Sequence, residues 1–347
     1  MKKTILAVAI PALFAASAQA ANVYDADGVS ADVYGRMQFT MSDDGTDTNG
    51  VGTARMGFNV KSEIAPGLAA IAKGEWQIAA ENSAKSSDGS IECTDNTNAS
   101  TCTVTTESKS QFAARHVYAG FEFDDAGTVV FGQTDTAFYK AVEATDIFNG
   151  DVGYEAFNNI EDGRQEGQIV YNGEFGGFYV GASYQFKDDN FKIGVNPGSA
   201  TPPAATGETL DSGYAGTLGY TFADIGLSTY VGYHVETFAN FEDKKNFALS
   251  AAYSLDNLYL GAAYVTAKMG DAELEGYDIV AAYTIDAVKL YTGYAAQEDK
   301  DNVDTADAFK LGAQYAFNSN MKAWAEYKVN GLDGADDYWE MSLQYNF

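Results

Sequence analysis

The chain contains no apolar run of the about 20 residues that a helix needs to cross a bilayer. Its mean hydropathy is -0.23. A membrane-spanning helix is excluded, but a membrane-spanning strand is not, because every second residue of a barrel strand faces water. Proline is scarce, with 5 in 347 residues, which leaves room for long uninterrupted strands. Basic residues are few: 21 Lys+Arg stand against 49 Asp+Glu, a net charge of -28. Phosphate binding needs a basic face, so a nucleic-acid partner is excluded. There are only 2 histidines, and no G-x-S-x-G pattern occurs, so a serine hydrolase site has nothing to stand on and no enzyme is expected. The acidic clusters lack a D-x-D-x-D-G loop with a closing Glu. The two cysteines, Cys93 and Cys102, have no histidine nearby. Neither a metal site nor any other cofactor is expected.

What is present begins with an export signal. Lys2 and Lys3 precede an apolar stretch from Ile5 to Ala16, and Ala18-Gln19-Ala20 follows. That is the pattern of a secretory leader cleaved after Ala20, so residues 1–20 are set aside and 21–347 are read as one domain. Loss of the two leader lysines makes the remainder still more acidic. In an exported protein, Cys93 and Cys102, set in a Thr/Asn/Ser/Asp-rich segment, read as a disulfide that closes one loop. Gly 35, Tyr 23 and Phe 21 make the composition rich in turns and aromatics.

From Val29 onward one unit recurs: a run of alternating polarity, a tight turn, a second run and a longer polar loop. Short connections fall at Ala65-Pro66-Gly67, Asp124 to Gly127, Gly173 to Gly176, Phe222 to Asp224, Asp256-Asn257, Asp286-Ala287 and Asn318 to Asn320. Longer ones fall at 43–50, 83–107, 135–163, 188–210, 239–244, 269–274, 298–306 and 331–336. Fifteen connections imply sixteen strands. Short turns at one end and long loops at the other are the pattern of an outer-membrane barrel, and sixteen strands leave an aqueous lumen. The expected fold is all-β, a 16-stranded antiparallel transmembrane β-barrel. In the last run Phe347, Tyr345, Leu343, Met341 and Trp339 share one face, while Asn346, Gln344, Ser342 and Glu340 share the other.

Ordered pieces of the chain then resemble a known family. They are Asp32-Val33-Tyr34-Gly35-Arg36, Ala54-Arg55-Met56-Gly57-Phe58, Gly74-Glu75-Trp76, Arg115-His116-Val117-Tyr118-Ala119-Gly120-Phe121, Phe131-Gly132-Gln133, Thr145-Asp146 and Gly163-Arg164. Together they are similar to the trimeric general porins of Gram-negative bacteria, gammaproteobacterial branch, over the whole chain after the leader. The resemblance implies a water-filled channel in the cell outer membrane for passive diffusion of small hydrophilic solutes and ions. It implies a homotrimer embedded in outer-membrane lipid and lipopolysaccharide. It also implies a third external loop folded into the lumen, whose acids face a ladder of basic side chains.

On that ladder the resemblance places Arg36, Arg55, Arg115 and Arg164. It places Asp146 on the loop. The family's second loop acid has no match, because Gly150 falls near its position; Asp151 is the expected substitute, with Glu143 and Glu155 as further loop acids. Another family basic position is Ala113 here. Strand alternation adds Lys73 to the basic wall. The final aromatic strand, with Phe347, Tyr345 and Leu343, resembles the signal read by the outer-membrane assembly machinery. By alternation His116, next to Arg115, turns outward, and His234, after Tyr233, reads as a girdle residue. A transverse field across the opening filters by size, charge and polarity, and the acidic balance points to moderate cation selectivity that salt weakens. One alternative is a substrate-specific channel, for which Trp324, sharing a face with Lys322 and Glu326, is a candidate sugar platform. Another is an adhesin or receptor role for the acidic external loops.

Overall fold

The computed structural model describes residues 20–79, 88–93, 102–107, 112–150, 164–191 and 208–347. The strands are β1 (Val29–Asp43), β2 (Thr48–Ala65), β3 (Leu68–Ala79), β4 (Phe112–Phe123), β5 (Gly127–Asp135), β6 (Arg164–Phe175), β7 (Phe178–Gln185), β8 (Glu208–Phe222), β9 (Leu227–Phe238), β10 (Lys244–Leu255), β11 (Leu258–Met269), β12 (Ala272–Ile285), β13 (Val288–Asp299), β14 (Asp304–Ala316), β15 (Met321–Asn330) and β16 (Tyr338–Asn346). Each pairs antiparallel with its sequence neighbour, and β16 returns to β1, from Arg36↔Asn346 to Asp43↔Trp339. The result is a closed 16-strand antiparallel barrel. A short N-terminal strand, Ala21–Ala26, pairs with the rest of that edge of β1, from Val33 to Val29, and so continues the line of β16. Closure leaves the sheet no long free edge, which is what a strand needs in a bilayer.

The strands carry period-two alternation, and the wall sorts it. Met37, Phe39 and Met41 of β1, Leu290 of β13 and Met341, Leu343, Tyr345 and Phe347 at the end of the chain are exposed on the outer surface. Glu340, Ser342, Gln344 and Asn346 lie inside. At one end the strands join through tight turns. Asp256 and Asp286 take φ 50 in two of them, the left-handed conformation that hairpin turns require and Asp tolerates. Two connections expected to be long are tight in the structure. Gly270-Asp271 joins β11 to β12, with Gly270 at φ 59, and residues 300–303 join β13 to β14. Their polar residues extend the strands instead of looping, as where Lys268 faces Glu273 across the hairpin at 3.4 Å.

The connection between β3 and β4 carries its own two-stranded hairpin, Asp88–Cys93 against Cys102–Glu107, with Cys93 directly opposite Cys102. Residues 1–19, the expected leader, lie outside the described residues.

Between β5 and β6 the chain turns into the lumen. Two short 3₁₀ turns, Ala137–Ala141 and Glu143–Thr145, lie along the inner faces of β7 to β12. The buried face of this loop, Ala137, Phe138, Ala141 and Val142, packs on Ala215, Ala248, Ala263, Val265 and Ala295 of the wall. The wall is paved with small residues where the loop rests. A Cβ on Gly232 would come within 2.6 Å of the Ala141 Cβ, and one on Gly261 within 2.2 Å of the Ala144 carbonyl oxygen. Larger residues at either position would lift the loop off its seat.

Candidate constriction site

The basic side chains of β1 to β4 converge. Arg36 and Arg55 are cross-strand partners in the β1–β2 ladder. Lys73 and Glu75 share the inner face of β3, and β4 supplies Arg115. The point of convergence is a carboxylate: Glu75, only 6 % exposed. Arg115 Nε donates to Glu75 Oε1 at 2.7 Å and Tyr34 Oη donates to Oε2 at 2.8 Å. Arg55 Nε stands 3.7 Å from Oε1 and donates to Gln77 at 3.0 Å. Lys73 Nζ lies 4.0 Å from Oε2. Arg36 donates to Gln344 of β16 at 3.3 Å. A buried carboxylate needs paired charge or hydrogen bonds, and here the ladder supplies both. The wall is therefore a cross-linked network with its own internal anion. The sequence signal for Glu75 was its shared face with Lys73.

Arg164 stands apart, at the start of β6. It is the cross-strand partner of Asp135, with Nη1 3.8 Å from Oδ1. On the loop, Asp146 is exposed, and Tyr139 Oη donates to its Oδ2 at 2.9 Å. Glu143 points elsewhere: it is half-buried and paired with Lys140. Lys140 in turn sits 5.5 Å from the Tyr179 ring centre and 5.1 Å from that of Tyr230. Glu143 is thus paired within the loop instead of presenting a free charge, and Lys140 makes the contact with the wall. Asp151 and Glu155 lie outside the described residues.

The loop tip is held by Glu326 and Lys322, which the sequence set beside Trp324, and by Tyr291 and Lys289, which it did not single out. Glu326 of β15 accepts from the backbone N–H of Asn149 at 2.7 Å and of Gly150 at 3.2 Å, and from Tyr291 Oη at 2.6 Å. Lys322 Nζ donates to Asn149 Oδ1 at 2.7 Å, and Lys289 Nζ to the Ile147 carbonyl at 3.0 Å. The cross-strand partner of Glu326 is Glu340. A Cβ on Gly150 would fall 1.7 Å from a Glu340 oxygen. At the position where the family's second loop acid was sought, a wall carboxylate already occupies the space. A side chain at 150 would require that carboxylate to swing away from its bonds with Trp324 and Tyr338.

Three expectations are corrected. His116 does not face outward. The β3–β4 ladder slips between Glu75 and Trp76, pairing them with His116 and Ala114 and leaving Arg115 as an extra residue. A β-bulge of this kind breaks strict alternation. His234 is not a girdle residue: it is 2 % exposed, inside the wall beneath Phe138 of the loop, with ring centres 6.0 Å apart. Trp324 is no open platform for a sugar. It is 4 % exposed, with Lys322 5.1 Å from its ring centre and its Nε1 donating to Glu340 at 2.8 Å.

A closed barrel narrowed by an inward loop, with a basic wall on β1 to β4, is a diffusion channel of the bacterial outer membrane. The sequence profile of the Gram-negative porin family matches residues 6–335, and the chain belongs to that family. It is 26% identical to outer membrane porin N of Escherichia coli over 385 residues, covering 98% of this chain and 95% of that one. Two solved structures share the fold. OmpF of Salmonella typhi, in complex with daunomycin, gives a TM-score of 0.74 at 20% identity over 94% of this chain and all of that one. An anion-selective porin from Comamonas acidovorans gives 0.68 at 16% identity over 92% of this chain and all of that one. The protein is a multi-pass β-barrel of the outer membrane that passes small hydrophilic solutes by passive diffusion.

Proposed function

We propose that the pore is moderately cation-selective, that its constriction is formed by Arg36, Arg55, Lys73, Arg115 and Arg164 facing Asp146, and that no catalytic step accompanies transport. The fold does not set the sign of selectivity, since a porin of the same fold is anion-selective. Side chains set it. The observation that carries the reading is Glu75. A carboxylate bonded to Arg115, and within 4.0 Å of Arg55 and Lys73, cancels part of the wall's positive charge where ions pass. Asp135 offsets Arg164 in the same way. Asp146 remains exposed, and the chain as a whole carries 49 acids against 21 bases. At physiological salt the Debye length is about 8 Å, so distant loop acids act only on the ion concentration at the mouth. Reconstitution in a planar bilayer with a salt gradient tests this: the reversal potential has the cation-selective sign, and its magnitude per unit gradient shrinks as salt rises. Anion selectivity at low salt overturns it.

The same reading extends to assembly. The chain forms a homotrimer through the outer face of β1 to β5, where Val60, Ala70, Ala72, Ala119 and Gly120 line a shallow apolar groove beside Phe121 and Phe131. The leader is removed after Ala20. The outward Phe347, Tyr345 and Leu343 present the last strand to the assembly machinery, and the outer wall contacts lipid and lipopolysaccharide.

A further inference from the structure

The bulge in β4 has placed a titratable ring inside the pore. With Arg115 as the extra residue, Arg115 and His116 both lie on the lumen side. Arg115 reaches Glu75, and His116 Nδ1 lies 3.0 Å from Thr134 Oγ1 of β5. One residue later alternation resumes, and Val117 is exposed on the outer surface. The charged and titratable groups that face His116 are Lys73 and Glu75 from β3, Arg115 and Tyr118 from its own strand, Asp135 from β5 and Arg164 from β6. Apart from Tyr118, these are members of the basic wall and the acids that offset it. No group among the described residues is hydrogen-bonded to Nε2.

We infer that His116 is a selectivity-determining residue of the constriction, adding one positive charge to the basic wall when its imidazole is protonated and none when it is neutral. The inference rests on the charged-constriction reading above. Imidazole takes up a proton, and with it a positive charge, on acidification. Acidification therefore makes this wall more positive and shifts permeation toward anions. The chain's other histidine cannot produce the effect on permeating ions, because it is sealed under Phe138. Carboxylates also lose charge toward low pH, and in the same direction. A variant lacking only the imidazole separates the two contributions.

The test compares wild type, His116→Gln, His116→Lys and the double variant Arg55→Gln/Arg115→Gln in planar bilayers under a potassium chloride gradient, from about pH 8 to about pH 3. Glutamine keeps a hydrogen-bonding group beside Thr134 and has no charge at any pH. At the alkaline end wild type and His116→Gln give the same potassium-to-chloride permeability ratio. On acidification the wild-type ratio falls about two-fold further than that of His116→Gln, the size expected for one added charge several ångströms away in a wet lumen. His116→Lys shows the lowered ratio already at the alkaline end. Parallel curves for wild type and His116→Gln, with the double arginine variant shifted toward cations, overturn the inference and leave the constriction reading intact. A double variant with an unchanged ratio overturns the constriction reading itself.

Discussion

Arg115 donates from Nε to Oε1 of Glu75 at 2.7 Å, so the basic wall of this pore is organised around an acid. Tyr34 holds the other oxygen at 2.8 Å. Hydrogen bonds to charged groups are worth roughly 1.5–3 kcal/mol each, and removing one partner costs more than pairing gained.

Glu75→Gln keeps the shape and removes the charge. Three cations, Arg55, Lys73 and Arg115, are then left without their shared counter-ion. The potassium-to-chloride permeability ratio falls about three-fold, the scale of one unit charge within about 5 Å in a wet lumen. Reversal potentials measure it. An unchanged ratio would mean that Glu75 is electrically remote from the ion path.

Among the described residues of the loop, Asp146 is the exposed acid. Asp146→Asn shifts the reversal potential toward anions, and Arg55→Gln with Arg115→Gln shifts it toward cations and raises single-channel conductance by widening the opening. Glu143→Gln has a smaller effect on selectivity than Asp146→Asn, because Glu143 is already paired with Lys140. Equal effects at the two acids would show that the ion pair does not mask Glu143.

The loop tip depends on Glu326, which accepts two backbone N–H groups and the Tyr291 hydroxyl. Glu326→Ala leaves those donors unpaired, at roughly 1–3 kcal/mol each. The barrel is closed without the loop, so assembly persists, while open-channel current noise rises as the tip leaves the wall. A quiet trace of normal conductance would show that Lys322 and Lys289 suffice.

Cys93 and Cys102 are opposite each other in their hairpin. A disulfide there, closing a short loop, contributes roughly 2–3 kcal/mol if unstrained. Cys93→Ser therefore leaves the barrel intact and loosens only that hairpin, seen as faster proteolysis within 88–107 and an unchanged heat-denaturation midpoint. Failure to assemble would place these cysteines in a folding role.

Trimer formation is read from unheated native gels, where a three-chain species is expected. Ala72→Trp, in the outer groove, reduces it. Gly74 shares the outward parity of Ala70 and Ala72 on β3, but its space is taken. A Cβ there would meet Trp76 at 2.6 Å and Phe58 at 2.7 Å, so substitution at Gly74 disturbs its own strand before it touches a partner.

The strand count was legible in the order of turns and loops because turn chemistry and period-two alternation are local. The outward face of β16 was readable for the same reason: Met341, Leu343, Tyr345 and Phe347 follow strict alternation. The resemblance placed Arg36 and Arg55 on the inner wall, and alternation within unbroken strands agrees with it and adds Lys73. Where the ladder slips, local reading failed. The extra residue at Arg115 turns His116 into the lumen, and no property of His116 or its sequence neighbours announces the bulge, which exists only as a mismatch between β3 and β4. His234 and Trp324 lie on inner faces that alternation identifies, yet both are covered, His234 by Phe138 of the loop and Trp324 by Lys322 and Glu340. Burial inside a barrel is decided by what folds across the lumen. Gly150 states the limit most plainly. In the sequence it is a missing acid, and only the closed barrel brings the Glu340 carboxylate, 190 positions later in the chain, against it.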